Sequence, residues 1–267
     1  MPVRLVPSDR PWVRMTMGAA EVAEDAERLR LTLFPNPGDR YADAQIDDYG
    51  GTGFIWRPPV QLLIEARFSH PAASLVGTAG FGFWNAGAPP GTATGLPSAV
   101  WFFFASSPSR VALDPSDPGR GWLAMVWRSP GGPRIPWPAP LIRGLQRLLD
   151  HPVLSRATLA ASRRWIMVSQ RPIPVDMTQW HGYGIRWMHE EVLFEMDGEE
   201  IHRAPFAPAG PLGFVAWIDN QFLSLDPDAG ISSGFLAVRE IQSMILRRVE
   251  INRMVPKLSF LPSPIPT

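Results

Sequence analysis

The chain has 267 residues, with 25 basic and 25 acidic side chains that give a formal net charge of zero. This balance disfavours polyanionic partners such as nucleic acid or an anionic membrane surface. The absence of cysteine excludes disulfides, thiolate nucleophiles and thiolate metal sites. A chain of this length suits one large β-sandwich, so we predict a single domain over 1–267.

The beginning of the chain indicates a surface segment followed by strands. Residues 1–17 are expected to wrap over the domain, and they lack the apolar run of a signal peptide. No apolar span of about 18 residues occurs elsewhere, so no transmembrane segment is predicted. The simplest expectation is a cytoplasmic protein. Strand-forming sequence follows over 18–33.

The next segment, 39–53, is polar and carries the acids Asp43, Asp47 and Asp48. We expect a solvated loop here. A calcium site is disfavoured because calcium needs about six or more oxygen ligands, and the spacing of the acids does not match an EF-hand loop. Neither a metal nor a cofactor is predicted, since the five histidines also lack the spacing of metal ligands.

Alternating strands then recur, and one segment interrupts them. The strands are predicted at 60–70, 80–87, 97–107 and 121–129. Leucines at helical spacing instead predict a short helix at 140–150, within a helical insertion at 134–164 whose helical part falls around 140–163. This helix could cover one end of the sheets, act as a lid or form an oligomer contact. The proline-rich tail, 254–267, either straps onto the domain or is disordered.

The segment 180–201 is the clearest predictor of the fold. Apolar side chains alternate with small or polar ones over 183–187 and again over 192–196. Asp197 and Gly198 then supply a tight turn with positive φ. The sequence therefore predicts an antiparallel hairpin and an all-β protein.

The same hairpin resembles a known family. Its residues WHGYGIRW, 180–187, resemble the His-x-Tyr-x-Ile-x-Trp pattern in the late hairpin of family 16 glycoside hydrolases and their concanavalin A-like relatives. Weaker similarity extends over most of the chain, through strands at 18–33, 60–70, 80–87, 213–222 and 241–251. The resemblance implies a concanavalin A-like β-sandwich, or jelly roll, with the helical insertion as an addition.

The catalytic strand of that family is missing. Family members carry Glu-x-Asp-x-x-Glu there, and retaining cleavage of a glycosidic bond needs two carboxyl groups about 5 Å apart. The corresponding segment here, PSAVWFFFASS at 97–107, has no acidic residue on either face. We therefore expect no hydrolysis of β-glucans by this strand.

Candidate site residues lie on strands that would flank this segment. The polar end of WIDNQ, 217–221, could form either a strand-end cap or the polar part of a ligand site. If the strand faces the cleft, Asp219 could act as acid or base, with His181, which resembles the family histidine near the cleft. The candidate substrate-binding residues are Trp84, Asn85, Trp101, Phe103, Trp217 and Asn220.

Three hypotheses about function remain open. The preferred one is a jelly roll that binds a hydrophobic or partly hydrophobic small molecule in an aromatic cleft, with a non-hydrolytic isomerase, cyclase or lyase reaction as an extension. The second is a lectin-like carbohydrate-binding module. The third is a divergent glycoside hydrolase with carboxylates relocated to Asp47, Asp48 or Glu65. A cleft lined by phenylalanine with only one or two polar groups favours the first hypothesis, and a row of exposed tryptophans with hydroxyl partners favours the second. Two carboxylates that face each other at about 5 to 9 Å favour the third.

Overall fold

The computed structural model describes residues 12–25, 27–50, 53–85, 97–112, 119–130, 165–226 and 230–254. Every regular element within these ranges is a β-strand, and there are sixteen of them. The helical insertion predicted at 134–164 lies outside the described residues, as do 1–11 and 255–267. No described helix is long and apolar enough to cross a membrane.

The strands form two large antiparallel sheets and a small ribbon. The first sheet has the order β1 (Val13–Met17), β4 (Asp43–Asp47), β13 (Gly213–Asp219), β6 (Thr78–Trp84), β7 (Ala99–Ala105), β8 (Gly121–Arg128) and β9 (Met167–Pro172). The second has the order β12 (Glu199–Ala204), β11 (Val192–Met196), β10 (His181–Trp187), β5 (Val60–Phe68), β16 (Gln242–Arg253), β3 (Leu29–Leu33) and β2 (Ala20–Glu24). The ribbon pairs β14 (Gln221–Asp226) with β15 (Gly230–Phe235).

The main core lies between the two large sheets. Because successive side chains of a strand point to opposite faces, one face of each strand supplies apolar residues to this layer. Phe81 of β6 packs on Tyr183 of β10 with ring centroids 5.2 Å apart, and Phe102 of β7 meets Phe194 of β11 at 5.3 Å. Each fully buried aromatic side chain of this kind contributes roughly 1.5–3 kcal/mol. The predicted all-β sandwich is confirmed.

The predicted hairpin is also confirmed. β10 and β11 pair in antiparallel register with Trp187 opposite Val192, and Trp187 is completely buried. Asp197 and Gly198 follow β11 with φ of 51° and 88°, the positive values that a tight two-residue turn requires. Local alternation and turn chemistry were therefore enough to predict this part of the second sheet.

The prediction of a solvated loop at 39–53 is wrong. Its central residues form β4, which lies inside the first sheet between β1 and β13, and all five are buried. Ala44 and Ile46 face the main core, while Asp43 and Asp47 point to the opposite side. The sequence Asp-Ala-Gln-Ile-Asp alternates with a period of two, which is a strand signal, but its acids suggested solvent exposure.

The described end of the segment 1–17 is a strand rather than a wrap. β1 pairs with β4 at one edge of the first sheet, with Met17 opposite Asp43. Its five side chains are exposed, including Met17 at 47%. The edge of the sheet beside the buried acids is therefore formed by a short, exposed strand.

Candidate functional site

The outer face of the first sheet is the candidate site. Side chains that lie opposite one another in register point to the same side, so this face consists of rows that run across the strands. Successive rows contain Trp84 and Trp127; Trp101 and Gln170; Trp217 and Phe103; and Asp43, Asp219 and Thr78. We call the side chains of Trp84, Trp101, Phe103, Trp127 and Trp217 the aromatic face.

Two glycines of β6 make room for the indoles. Gly80 lies between Trp217 and Phe103 in register, and Gly82 lies beside Trp101. A Cβ atom on Gly80 would lie only 3.0 Å from Cη2 of Trp217, and one on Gly82 only 2.6 Å from Cβ of Trp101. Any larger residue at these positions would collide with its neighbours. The sequence Gly-Phe-Gly-Phe, 80–83, therefore places phenylalanine in the main core and leaves space for tryptophan on the outer face.

The rings in this space form one continuous layer. Trp84 and Trp217 have parallel rings, with a 4° interplanar angle and centroids 6.2 Å apart. Trp101 lies 5.2 Å from both Trp217 and Phe103. Trp217 and Phe103 are 7% and 6% exposed, whereas Trp84, Trp101 and Trp127 are half-buried. The buried rings support the half-buried ones, which present indole surface to solvent.

Some polar atoms of this layer have partners and others have none. Nε1 of Trp84 donates to the hydroxyl of Tyr49 at 2.6 Å, and Nε1 of Trp217 donates to Oγ1 of Thr78 at 3.0 Å. In contrast, Nε1 of Trp101, Nε1 of Trp127 and Oε1 of Gln170 are buried without a hydrogen-bond partner. These three atoms lie on the same side of the sheet and have no hydrogen-bond partner among the described residues.

Carboxyl groups border the aromatic face on β4 and β13. Asp43 and Asp219 lie directly opposite each other in register, and Asp47 lies two rows away on β4. We call Asp43, Asp47 and Asp219 the acid edge. Oδ1 of Asp47 accepts from the backbone N–H of Tyr49 at 3.0 Å and of Gly50 at 2.8 Å, which occupies one side of this carboxylate.

Asp219 is held as a strand-end cap. Its carboxylate accepts from the hydroxyl of Thr78 at 2.8 Å, the backbone N–H of Gln221 at 2.9 Å and the hydroxyl of Tyr41 at 3.2 Å. Burial raises its pKa to about 6, and the hydrogen bonds from Gln221 and Thr78 oppose that rise. Most of its acceptor capacity is occupied within the protein, which favours the cap over the acid or base role.

Asp43 differs from its neighbours because neither carboxyl oxygen has a hydrogen-bond partner, although the residue is completely buried. Burial raises its pKa to about 8, with further contributions from the negative charges of Asp219 and Asp47. At neutral pH this carboxyl is therefore mostly protonated. Sequence reasoning did not single out this carboxyl, since a partly apolar, alternating segment was interpreted as a polar loop.

The structure brings only some of the predicted site residues together. Trp84, Trp101, Phe103 and Trp217 share the aromatic face. Asn220 is completely buried and ties loops together: its Oδ1 accepts from the N–H of Ala42 at 2.8 Å, and its Nδ2 donates to backbone carbonyls. Both its amide oxygen and its amide nitrogen are therefore engaged within the protein.

Asn85 and His181 lie away from the centre of the face. Oδ1 of Asn85 accepts from the N–H of Ser98 at 2.7 Å and closes the end of the β6–β7 pair. His181 belongs to β10 of the second sheet, and its Nδ1 lies 2.7 Å from Oδ2 of Asp197. The structure therefore does not bring His181 to Asp219, because the two residues lie on different sheets.

A metal centre finds no support in the described part of the chain. There, no group of three or more His, Asp and Glu side chains is arranged to hold a metal ion. The site residues that sequence reasoning missed are Asp43, Gln45, Trp127 and Gln170. The alternation of 43–47 contained the signal for Asp43 and Gln45, and that of 121–128 contained the signal for Trp127. In each segment the alternation predicts which side chains share a face with Trp217 or Trp101.

Comparisons with known proteins find only distant structural likeness. No protein-family model matches the chain, and no curated protein matches it significantly. Similar solved structures include a family 16 glycoside hydrolase from Bacteroides ovatus in complex with a product, with a TM-score of 0.47 and 8% identity over 94% of this chain and 98% of that one.

Two further structures show the same likeness. A laminarinase catalytic domain from Thermotoga petrophila has a TM-score of 0.43 and 11% identity over 92% of each chain. A sialidase has a TM-score of 0.42 and 8% identity, and the match covers 91% of this chain but only 17% of that one. Because the sequence identities and TM-scores of these matches are low, the functional argument depends on the residues of the outer face alone.

Proposed function

We propose that the protein binds carbohydrate on the aromatic face of the first sheet. The observation that carries the proposal is the layer of half-buried tryptophans bordered by polar groups on the same face. A pyranose ring has an apolar face of C–H groups and a rim of hydroxyls. Indole surface matches the apolar face, while carboxyl, amide and N–H groups match the rim.

Unpaired polar atoms favour a hydroxylated ligand over a hydrophobic one. Nε1 of Trp101, Nε1 of Trp127 and Oε1 of Gln170 have no partner in the protein. A purely hydrophobic molecule would leave them unpaired, at a cost of roughly 1–3 kcal/mol for each group. Sugar hydroxyls can donate and accept, so a saccharide could pair all three after small adjustments of these half-buried side chains.

The tryptophan content of the face also supports carbohydrate. Phe103 is nearly covered, so the surface that a ligand would touch comes mainly from Trp84, Trp101 and Trp127. The hydroxyls of Tyr49 and Thr78 hold two of the indoles of the layer in place. Tryptophans with hydroxyl partners are the pattern expected for a lectin-like module rather than for a phenylalanine-lined hydrophobic cleft.

We expect binding without hydrolysis, because the two facing carboxyl groups of this face, Asp43 and Asp219, are buried and Asp219 is engaged as a strand-end cap. The outer face of β7 carries Ala99, Trp101, Phe103 and Ala105, so the strand that corresponds to the family's catalytic strand has no acid there. Glu65 lies on the second sheet, where it pairs with Arg247. Reducing-sugar release from laminarin or lichenan should therefore match the buffer blank.

Titration of tryptophan fluorescence with neutral β-glucan oligosaccharides tests the proposal, with cellotetraose as the first probe. The intrinsic signal should change on saturation, and Trp101→Ala should weaken binding by about 10-fold or more, since a stacked aromatic contact contributes on the order of 1–3 kcal/mol. Trp180→Ala is the matched control. That tryptophan is also half-buried, but it lies at the second sheet beneath Arg247.

The control variant should bind the oligosaccharide as the unaltered protein does. Equal losses in Trp101→Ala and Trp180→Ala would contradict the proposed location. If no oligosaccharide of a panel covering β-1,3- and β-1,4-linked glucans changed the fluorescence, carbohydrate binding itself would be excluded for those classes.

A further inference from the structure

We infer that Asp43 binds an ammonium group of the ligand, so the saccharide that fits this face carries an amine. This inference rests on the proposed function, because it places a specificity group beside the aromatic face. The starting observation is that both oxygens of Asp43 are buried without a hydrogen-bond partner. Burying a carboxyl group without partners is costly, and a native protein keeps such a group when something else pairs it.

The surroundings of Asp43 select a cation. Asp219 faces it across the strand pair, Asp47 follows on the same strand, and the phenol groups of Tyr41 and Tyr49 are near enough to interact electrostatically with it. Among the ion pairs of the described residues, none includes Asp43, Asp47 or Asp219. The acid edge therefore has negative character and no basic partner within the described part of the chain.

The geometry favours an ammonium group over a metal ion. Asp219 and Asp47 already accept hydrogen bonds from the protein, which leaves Asp43 as the unoccupied carboxyl. One carboxylate is too few for a calcium or magnesium ion, which requires about six oxygen ligands. An ammonium group needs only a few acceptors, and Trp217, two residues before Asp219 on the same face, offers an aromatic surface nearby.

The neighbour of Asp43 on the edge strand is a flexible, exposed side chain. Met17 lies directly opposite Asp43 on the edge strand β1 and is 47% exposed. Methionine is unbranched and has three rotatable bonds, so it can change rotamer at low cost. An incoming amine could therefore reach the carboxyl from the exposed edge without disturbing the core.

Binding also releases a proton. The protonated carboxyl of Asp43 loses its proton to the buffer as it pairs with the cation, so the charge balance is one ammonium bound and one proton released. The raised pKa of Asp43, about 8, means that this proton is present at neutral pH before binding. A neutral sugar would pair with the protonated carboxyl and release none.

Two oligosaccharides of the same length and linkage test the inference. Cellotetraose and the fully deacetylated chitosan tetramer differ in the 2-substituent, which is a hydroxyl in the first and an ammonium in the second. Isothermal titration calorimetry near neutral pH should show that the chitosan tetramer binds about 10-fold more tightly, the scale of one added charge-assisted hydrogen bond. The titration is repeated in two buffers of different ionisation enthalpy, which counts the protons released on binding. After correction for any change in the protonation of the ligand amine at that pH, about one proton should be released.

Asp43→Asn keeps the size and hydrogen-bonding shape of a protonated carboxyl but cannot ionise. In this variant the affinity ratio of the two tetramers should fall to about one, and the proton release should disappear. Asp176→Asn, at an exposed aspartate before β10, is the control and should retain both. The proton count in the unaltered protein tests the inference even if Asp43→Asn does not fold.

The possible outcomes separate the two proposals. If both tetramers bind equally, depend on Trp101 and release no proton, the ammonium site is excluded while carbohydrate binding stands. If neither tetramer binds, the ammonium site is excluded, and so is the proposed carbohydrate binding for these two glycans. Tighter binding of the chitosan tetramer that Asp43→Asn leaves unchanged would place the ammonium group elsewhere.

Discussion

The outer faces of the two sheets occupy equivalent positions in the sandwich, yet they have opposite chemistry. The face of the second sheet carries ion pairs: Arg186–Glu195, Arg203–Glu191, Arg203–Glu200, Arg247–Glu65 and Arg248–Glu250. The face of the first sheet carries tryptophan, phenylalanine and buried carboxyl groups instead. A sheet with one solvated face normally exposes polar residues there, as the second sheet does.

The difference shows that the first sheet is not adapted to water alone. Its outer face contains a second apolar cluster, which includes Leu123, Met125 and Val215 below and beside the rings. It also contains buried polar atoms, among them the carboxyl oxygens of Asp43, that have no hydrogen-bond partner among the described residues. Both features are typical of a surface that is completed by a ligand, and both can be tested against the second sheet.

The largest expected effect comes from removing a buried ring of the first face. Trp217→Ala should lower the free energy of unfolding by about 3–5 kcal/mol, because the indole is 7% exposed and contacts Trp84, Trp101 and Phe103. Urea denaturation measures the change. A loss below about 1 kcal/mol would mean that the outer layer is loosely packed and that the two faces differ less than the structure shows.

The next effect is a dependence of stability on pH, to which the buried carboxyl groups of the first sheet should contribute, Asp48 with its raised pKa of about 6 among them. Asp43 and Asp219 have raised pKa values in the folded protein, about 8 and about 6 against 3.8 for the model carboxyl. The folded state therefore binds more protons than the unfolded state, and its stability should decrease as pH rises from about 4 to about 8, by a few kcal/mol.

Denaturation curves between these pH values measure the slope. Asp43→Asn should remove the part of the slope above about pH 6 and leave the part that belongs to Asp219. An unchanged slope in Asp43→Asn would show that this carboxyl is not buried in its protonated form.

A smaller effect is expected for the strand-end cap. Asp219→Ala removes the oxygen that accepts from Thr78 and Gln221, so unfolding should become easier by roughly 1–3 kcal/mol. The melting temperature should fall with little change in oligosaccharide affinity. If affinity fell and stability did not, Asp219 would be a ligand-binding group rather than a cap.

The smallest effect is expected on the second face. Arg203 pairs with Glu191 and Glu200, but it is half-exposed, so its ion pairs are screened by solvent. Arg203→Ala should leave the free energy of unfolding nearly unchanged and oligosaccharide binding intact. A large loss of stability or of oligosaccharide binding in Arg203→Ala would contradict the proposed difference between the outer faces of the two sheets.

The sequence by itself determined the fold class and much of the strand pattern. Alternation over 183–187 and 192–196, followed by Asp197-Gly198, predicted the hairpin because strand period and turn geometry depend on neighbouring residues. Alternation over 97–107 likewise predicted that no acid would lie on β7. These are local properties, so no knowledge of the rest of the chain was needed.

Only the tertiary structure decided which strands lie side by side and which groups are covered. Residues 43–47 alternate clearly, but their acids are buried because β4 pairs with β13 from the far end of the chain. That pairing set Asp43 opposite Asp219, made Asp219 a cap and left Asp43 unpaired. It also kept His181 on the other sheet. Strand order and burial arise from contacts between distant segments, and no local sequence pattern encodes them.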